Sequence, residues 1–397
     1  MGRLHRHHCR SHATSSGIIF HYMSDLFDAK KLEGLQHETP FFVFSKSALK
    51  ARYHEFKKLF PDSTIFYAMK ADAEKEVLQT LAEAGSGFEA ASVHELRLLK
   101  ALDIPAERII YGTSVKPASH IKEFHEYGVN RFAFDSISEL EKIAAIAPKA
   151  RVYVRVSVND TGSVYRFSEK FGTVPENIVP FLSRAKELGL EHYGISFHVG
   201  SQAGNREAWA NAITGLTPVL KHLDELGLRI EILNIGGGYP SEYASSEEHI
   251  ALEEIAASVH TALKKLPYQP HIVLEPGRAM VAESAVLVAS VIGRVERIEH
   301  TWLFLDAGVY NGLFESLAYQ GSIGYRVSSI RGNGDAGEAV FALAGPTGDS
   351  WDVVSREAHL PADIAVGDKL IFHNTGAYNL VMVGRFNGFP KPDVHFI

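Results

Sequence analysis

The sequence predicts an α/β fold, a (β/α)8 TIM-like barrel followed by a mostly β domain. Three observations carry that expectation. From Phe41 onward, short β-branched or aromatic runs alternate with longer helical patterns, the rhythm of a parallel sheet covered by helices. Eight such units occupy about 230 residues, close to the roughly 250 of an ordinary barrel. Polar, charged or glycine residues gather where strand after strand ends, at Lys70, Glu89, Arg155, His198, Gly236–Gly238 and Glu275. In a barrel those ends converge on one mouth, where active sites sit; in a doubly wound open sheet, the runner-up, they would spread along an edge.

The expected barrel strands, in order, are Thr64–Met69, Gly87–Ser92, Arg108–Gly112, Arg131–Asp135, Arg151–Val156, Tyr193–Val199, Ile232–Ile235 and His271–Glu275. Each is short and rich in branched or aromatic side chains. Between them, helical periodicity runs through Glu74–Ala84, Ser92–Leu102, Ser138–Ile146, Val179–Leu188, Ala208–Leu226 and Ile250–Lys265. After about Ala282 helical periodicity weakens. Val286–Ile298, Trp302–Leu305, Ala339–Ala344 and Lys369–His373 read as strands, with turns at Gly332–Gly334 and Gly345. Phe41–Phe44 could belong to the barrel or pair with the β domain. The expected division is residues 45–281 for the barrel and 23–44 plus 282–397 for the β domain. Residues 1–22 are rich in His and Arg with no acid. They read as a disordered leader or misassigned start, with the functional chain beginning near Met23.

Composition narrows the chemistry. The 397 residues are 46% hydrophobic and 22% charged, with a net charge of -7. That is a globular balance without the basic footprint of a nucleic-acid binder. No apolar run reaches the roughly 18 residues of a membrane span. The single cysteine, Cys9, allows neither an internal disulfide nor a multi-cysteine metal site, so no metal is expected and a reducing, cytoplasmic setting is. Chemistry must come from Lys, His, Asp, Glu, Tyr or a cofactor.

The strand-end residues are chemically suggestive. Lys70, after Phe66-Tyr67-Ala68-Met69, could act as an amine nucleophile if partly desolvated. His198 lies between an apolar run and the small-residue turn Val199-Gly200-Ser201, where its ring could pack on a flat ligand. Gly236-Gly237-Gly238 lets backbone N–H groups approach an oxyanion closely. Glu275-Pro276-Gly277-Arg278 offers a carboxylate for a pyridinium nitrogen and a planar fork for a phosphate. Taken singly, each also has a structural reading: a surface lysine, a hydrogen-bonded core histidine, an ordinary tight turn, a strand-end ion pair.

The order of these motifs is more specific. Tyr67-Ala68-Met69-Lys70, His198-Val199-Gly200-Ser201, Ile235-Gly236-Gly237-Gly238-Tyr239-Pro240, Glu275-Pro276-Gly277-Arg278, Gly345-Pro346-Thr347, Gly376-Ala377-Tyr378 and Phe386-Asn387-Gly388-Phe389 resemble the successive motifs of the ornithine/diaminopimelate/arginine decarboxylases. These are pyridoxal-phosphate enzymes with an alanine-racemase-like fold. The resemblance runs from about Thr39 to the C-terminus, and the closing motif looks more like ornithine and lysine decarboxylases than diaminopimelate decarboxylases. It implies that Lys70 carries pyridoxal 5'-phosphate as a Schiff base, His198 stacks on the ring and Glu275 keeps the ring nitrogen protonated. Ser201, Gly237, Gly238, Gly277, Arg278 and Tyr378 would hold the phosphate, with Glu89, Glu95 and Arg155 around the cofactor. It also implies a homodimer in which Asp349 reaches the partner's barrel mouth.

Two departures stand out. The family usually has a proton-delivering cysteine after Gly-Pro-Thr, and here the residue is Gly348. Water, Lys70, Tyr319 or Ser350 would have to serve, and more off-pathway transamination is expected. The family's ornithine and lysine enzymes also place acids in the stretch matching Glu315-Ser316-Leu317-Ala318-Tyr319-Gln320 to pair with the substrate's distal ammonium. The later acid is missing here, which leaves Asp349, Tyr319 and Glu315 as candidate substrate contacts, or a substrate whose far end is not a simple ammonium. Tyr319, Arg326 and Trp351 would suit a larger or more polar one. A decarboxylase of a basic amino acid or a carboxylated or conjugated diamine is therefore expected, ahead of a racemase or a non-catalytic regulatory homologue.

Overall fold

The computed structural model describes Phe27, Leu32 and residues 34–246, 248–317, 323–332 and 337–397. The leader with Cys9, together with Tyr319, falls outside them. Among the described residues, no helix is long and apolar enough to cross a membrane.

A closed parallel barrel is formed by β2 (Thr64–Ala68), β3 (Gly87–Ala90), β4 (Ile109–Tyr111), β5 (Arg131–Phe134), β6 (Arg151–Val156), β8 (Glu191–Phe197), β10 (Ile232–Asn234) and β11 (His271–Leu274). They pair in the order β10-β11-β2-β3-β4-β5-β6-β8. Because side chains alternate along a strand, one set points into the barrel. Phe66, Ile110, Ala133, Tyr153, Tyr193, Ile232 and Val273 form a buried cluster of their own. Two residues further along, the same inward register brings up Glu89 after Gly87, Arg155 after Tyr153, Asn234 after Ile232 and Glu275 after Val273. The apolar layer closes the bottom of the barrel, and the polar layer above it is the floor of the mouth.

The helices start where the chain supplies caps. Ser92 accepts from the Glu95 N–H at 3.3 Å and Ser136 from the Glu139 N–H at 3.4 Å, satisfying N-terminal donors that the helix leaves unpaired. One helix, Ala118–Tyr127, lies where the sequence reading left a gap. Only Ile121 and Phe124 of it are buried, so its apolar stripe is too thin to register as a period.

Beyond the barrel, an eight-stranded sheet runs β14 (Val327–Ser329), β17 (Lys369–His373), β12 (Ala285–Glu296), β13 (Thr301–Leu305), β15 (Glu338–Ala344) and β16 (Val353–Pro361). Off that path, β1 (Phe41–Phe44) pairs antiparallel with β12 and parallel with β18 (Asp393–Phe396). The N-terminal strand thus joins the C-terminal sheet, and all four of its residues are buried. A two-stranded ribbon, β7 (Ser163–Tyr165) with β9 (Ser201–Ala203), sits at the barrel mouth. Its three-residue strands are too short to show a period in sequence.

Candidate functional site

Lys70 begins just past the end of β2, in a short 3-10 turn. Its Nζ donates to Glu89 Oε2 at 2.7 Å; the lysine side chain is 46% exposed and the glutamate 3%. Burial lowers the affinity of Lys70 for its proton, but the charge of Glu89 and the nearby Tyr378 and Glu275 outweigh it, and the net shift is upward. In this arrangement Lys70 is an ammonium whose proton already faces a carboxylate.

Glu275 ends β11. Its Oε1 accepts from Asn234 Nδ2 at 2.6 Å, and Asn234 Oδ1 in turn accepts from the Gly236 N–H at 3.0 Å. Burial, then the like charge of Glu89, pushes Glu275 up to about 7, against the pull of Lys70, Asn234 and Arg155. A buried carboxylate held halfway to neutrality is completed by a cationic partner. Asn234 was not anticipated. Its signal was a lone amide at the end of an apolar run.

His198 is held neutral. Burial, then Arg155 and Lys70, lower it well below the usual imidazole range, and its Nδ1 accepts from the Gly200 N–H at 3.0 Å. The proton therefore sits on Nε2, and Phe167 packs edge-on with ring centroids 5.0 Å apart. An uncharged, fixed aromatic face is what a flat ring needs beneath it. Arg155 lies beside these groups, with Glu275 and Glu89 opposing the downward effect of its burial. Glu95 turns back to accept from the Ala91 N–H at 2.6 Å, and burial followed by the Glu89 charge raises it to about 7.

The glycine turn makes a cradle. A Cβ on Gly238, whose φ is +101°, would sit 2.2 Å from the Gly200 carbonyl oxygen. A Cβ on Gly237 would sit 2.4 Å from the Glu275 carbonyl oxygen and 3.3 Å from His198 Nε2. Only glycine admits such backbone approach. On the facing side, Gly277 lies against the Tyr378 hydroxyl, 3.1 Å from where its Cβ would be. Tyr378 takes a left-handed backbone (φ 56°) while its N–H donates to the Ala71 carbonyl at 2.7 Å. Ser201 and Arg278 complete the wall, with Arg278 Nε donating to Ser201 Oγ at 3.4 Å.

These residues fit pyridoxal 5'-phosphate. A primary amine, a flat neutral imidazole, a buried carboxylate and a small-residue turn whose glycines admit close backbone approach share one mouth.

Glu315 departs from expectation. Both its oxygens are taken: Arg278 Nη1 donates to Oε2 at 2.5 Å and Nη2 to Oε1 at 2.7 Å, while the Tyr165 hydroxyl donates to Oε1 at 3.0 Å. At 3% exposure it is an internal partner of Arg278. The pairing joins segments far apart in the chain, which no local motif signals. Asp349 belongs to the loop between β15 and β16. Its contacts there are with Tyr310, whose hydroxyl donates to Oδ2 at 2.5 Å, and with the N–H of Trp351. Arg326 lies on the β-sheet side, where the His373 N–H donates to its carbonyl; Tyr319 is outside the described residues.

The comparisons agree with this geometry. The family model for the pyridoxal-binding domain of pyridoxal-dependent decarboxylases matches residues 46–282. Ornithine decarboxylase of Mus musculus is 32% identical over 94% of this chain and 84% of its own length. Among solved structures, lysine/ornithine decarboxylase of Vibrio vulnificus complexed with putrescine superposes with a TM-score of 0.83 at 30% identity, covering 97% of this chain and 99% of that one. Arginine decarboxylase of Paramecium bursaria Chlorella virus bound to agmatine gives 0.86 at 28% identity, covering 94% and 100%. A lysine-bearing barrel mouth, a matched cofactor domain and full-length relatives together make this chain a member of the pyridoxal-dependent decarboxylase family.

Proposed function

We propose that this chain decarboxylates a basic amino acid of the ornithine or lysine type, or a carboxylated or conjugated diamine, giving an amine and carbon dioxide. The observation that carries the reading is the mouth itself, where Lys70 bonded to Glu89 stands across from a buried Glu275 and a glycine cradle. Pyridoxal phosphate, when bound, supplies an electron sink for the pair left behind as carbon dioxide departs. Lys70 and the cradle would hold it at opposite ends, with His198 beneath the ring and Glu275 at its nitrogen.

The chain's own residues do the rest. Glu89 Oε2 is placed to take the proton that Lys70 Nζ must lose to become a nucleophile. Glu275, kept near half-ionised by burial, gains a stable charge only against a cation, so it favours a protonated ring nitrogen. Neutral His198 adds packing without repelling that cation. Asn234 fixes the orientation of Glu275. The same reading makes the working unit a cytoplasmic homodimer, in which the partner's loop between β15 and β16 brings an Asp349 to each mouth for the substrate's far end.

A carbon dioxide release screen over ornithine, lysine, arginine, diaminopimelate, diaminobutyrate and carboxylated polyamines tests the reading. Turnover of at least one is expected. Cofactor binding with no turnover of any would sink the basic-amino-acid assignment and favour the regulatory homologue.

A further inference from the structure

Arg278 is the side chain best placed by sequence to bind a phosphate, yet it is already engaged. Its guanidinium forms a two-pronged ion pair with Glu315, each side chain no more than 4% exposed. Nη1 also donates to the Tyr243 hydroxyl at 3.0 Å, and Nε to Ser201 Oγ. Four of the five donors of an arginine are therefore committed among the described residues. The rings of Tyr378, Tyr165 and Tyr243 surround the guanidinium, with centroids 4.8, 5.3 and 5.7 Å away. Glu315 is held in turn by Tyr165. The charge of Arg278 is already neutralised by a carboxylate from the turn between β13 and β14.

We infer that Glu315 competes with the phosphate end of the cofactor for Arg278, so that this arginine serves the anion only as far as its internal partner releases it. The inference rests on the reading of the Gly237–Gly238 cradle as a phosphate site. Glu315 holds the Nη1–Nη2 edge of the guanidinium and leaves the Nε–Nη2 edge, where Nε meets Ser201 at 3.4 Å, so a phosphate on that edge would share one positive charge with the carboxylate. Either anion neutralises it, and both together leave excess negative charge in a buried place. Removing the carboxylate strands a buried cation, which is strongly destabilising until another anion arrives. Glu315 is thus a positioning residue that stabilises the cofactor-free chain and weakens its hold on phosphate.

The test is a calorimetric titration of the full chain, stripped of cofactor, with inorganic phosphate, together with its melting temperature. Glu315→Gln should bind inorganic phosphate roughly tenfold tighter than the wild type, melt lower without phosphate, and recover more on adding it. Glu315→Asp, which keeps the carboxylate, should stay near wild type. Equal phosphate affinity in wild type and Glu315→Gln would overturn the role of Glu315 alone. Weaker binding by Glu315→Gln would also overturn it, because the glutamate would then build the anion site and not compete with it. A wild-type chain and variants that all ignore phosphate would overturn the cradle reading itself. Should Glu315→Gln fail to fold, Tyr165→Phe removes the hydroxyl that steadies Glu315 and should tighten phosphate by a smaller factor; no change there would count against the proposal.

Discussion

The barrel mouth and the loop between β15 and β16 carry the two halves of one proposed chemistry, and they are built in opposite ways. In the mouth, every key group is fixed from behind: Lys70 by Glu89, Glu275 by Asn234, His198 by Gly200 and Arg278 by Glu315. In the loop, Gly348 is exposed and meets nothing, Trp351 is 65% exposed, and Asp349 is steadied by one tyrosine hydroxyl and one N–H. The mouth draws all of these groups from one chain. The loop looks outward with apolar surface beside it, including Phe386 at 44% and Met382 at 45% exposure. Under the proposed function this difference is a division of labour, with the cofactor held within one chain and the substrate's far end met by a second copy.

The largest effect expected is from Lys70→Ala. Loss of the nucleophile should cut carbon dioxide release by roughly 10^3-fold or more and abolish the visible absorbance of the bound cofactor. A variant that keeps that absorbance would show that another amine holds the cofactor. Next comes Asp349→Asn, expected to lose roughly tenfold to hundredfold in kcat/KM on a diamino acid with the absorbance intact. Mixing inactive Lys70→Ala with Asp349→Asn, each mixed dimer then carrying one intact mouth, should restore part of the activity. No restoration would mean that each chain works alone, and the comparison of mouth and loop would lose its meaning.

How much of this was readable in sequence follows the same divide. Strand ends carry period-two side chains with chemistry at the last position, so Lys70, Glu89, Arg155 and Glu275 declare themselves where an apolar run stops. The observed barrel strands begin or end within two residues of the expected bounds for the same reason. The supporting partners did not declare themselves. Tyr165 sits on a three-residue strand, and Glu315 lies 37 residues beyond the arginine it binds. Such pairings depend on how the sheet and barrel meet, which local periodicity does not encode. The chain neighbours of Glu315 suggest a substrate contact, whereas its pairing with Arg278 and Tyr165 is set by neighbours in space.

A third prediction uses the burial of the mouth. Glu275 is raised from 4.5 to about 7 by desolvation and Glu89. The folded chain thus holds a proton there that the unfolded chain has released, across that window. Folding takes up a proton, so stability of the cofactor-free chain falls as pH rises through it. Glu275→Gln cannot titrate and should remove a slope worth roughly 1–3 kcal/mol. Glu95, raised to about 7, and Asp72, raised by burial to about 8, keep the remainder. Melting curves between pH 5 and 8 decide it. An unchanged slope in the variant would mean that Glu275 is ionised throughout and that the mouth is wetter than its burial suggests.

The smallest effect, and the one that probes the loop most directly, is Gly348→Cys. A Cβ there meets nothing within 4 Å, and the backbone is not left-handed, so the chain should fold and melt as the wild type does. After carbon dioxide leaves, the new electron pair must be protonated at the right carbon. Protonation at the wrong one ends in transamination and a carbonyl product. Gly348 offers no side-chain proton, whereas a thiol at that position would offer one with a pKa near the working pH, where general acids act best. The carbonyl fraction of the product should therefore drop several-fold, with kcat changing little. If the fraction does not move, the donor already lies elsewhere, on Lys70 or a water it holds, and the loop's task narrows to binding the far end of the substrate through Asp349. If it falls, the bareness of Gly348 is itself functional, because it leaves partition between the two products to the mouth alone.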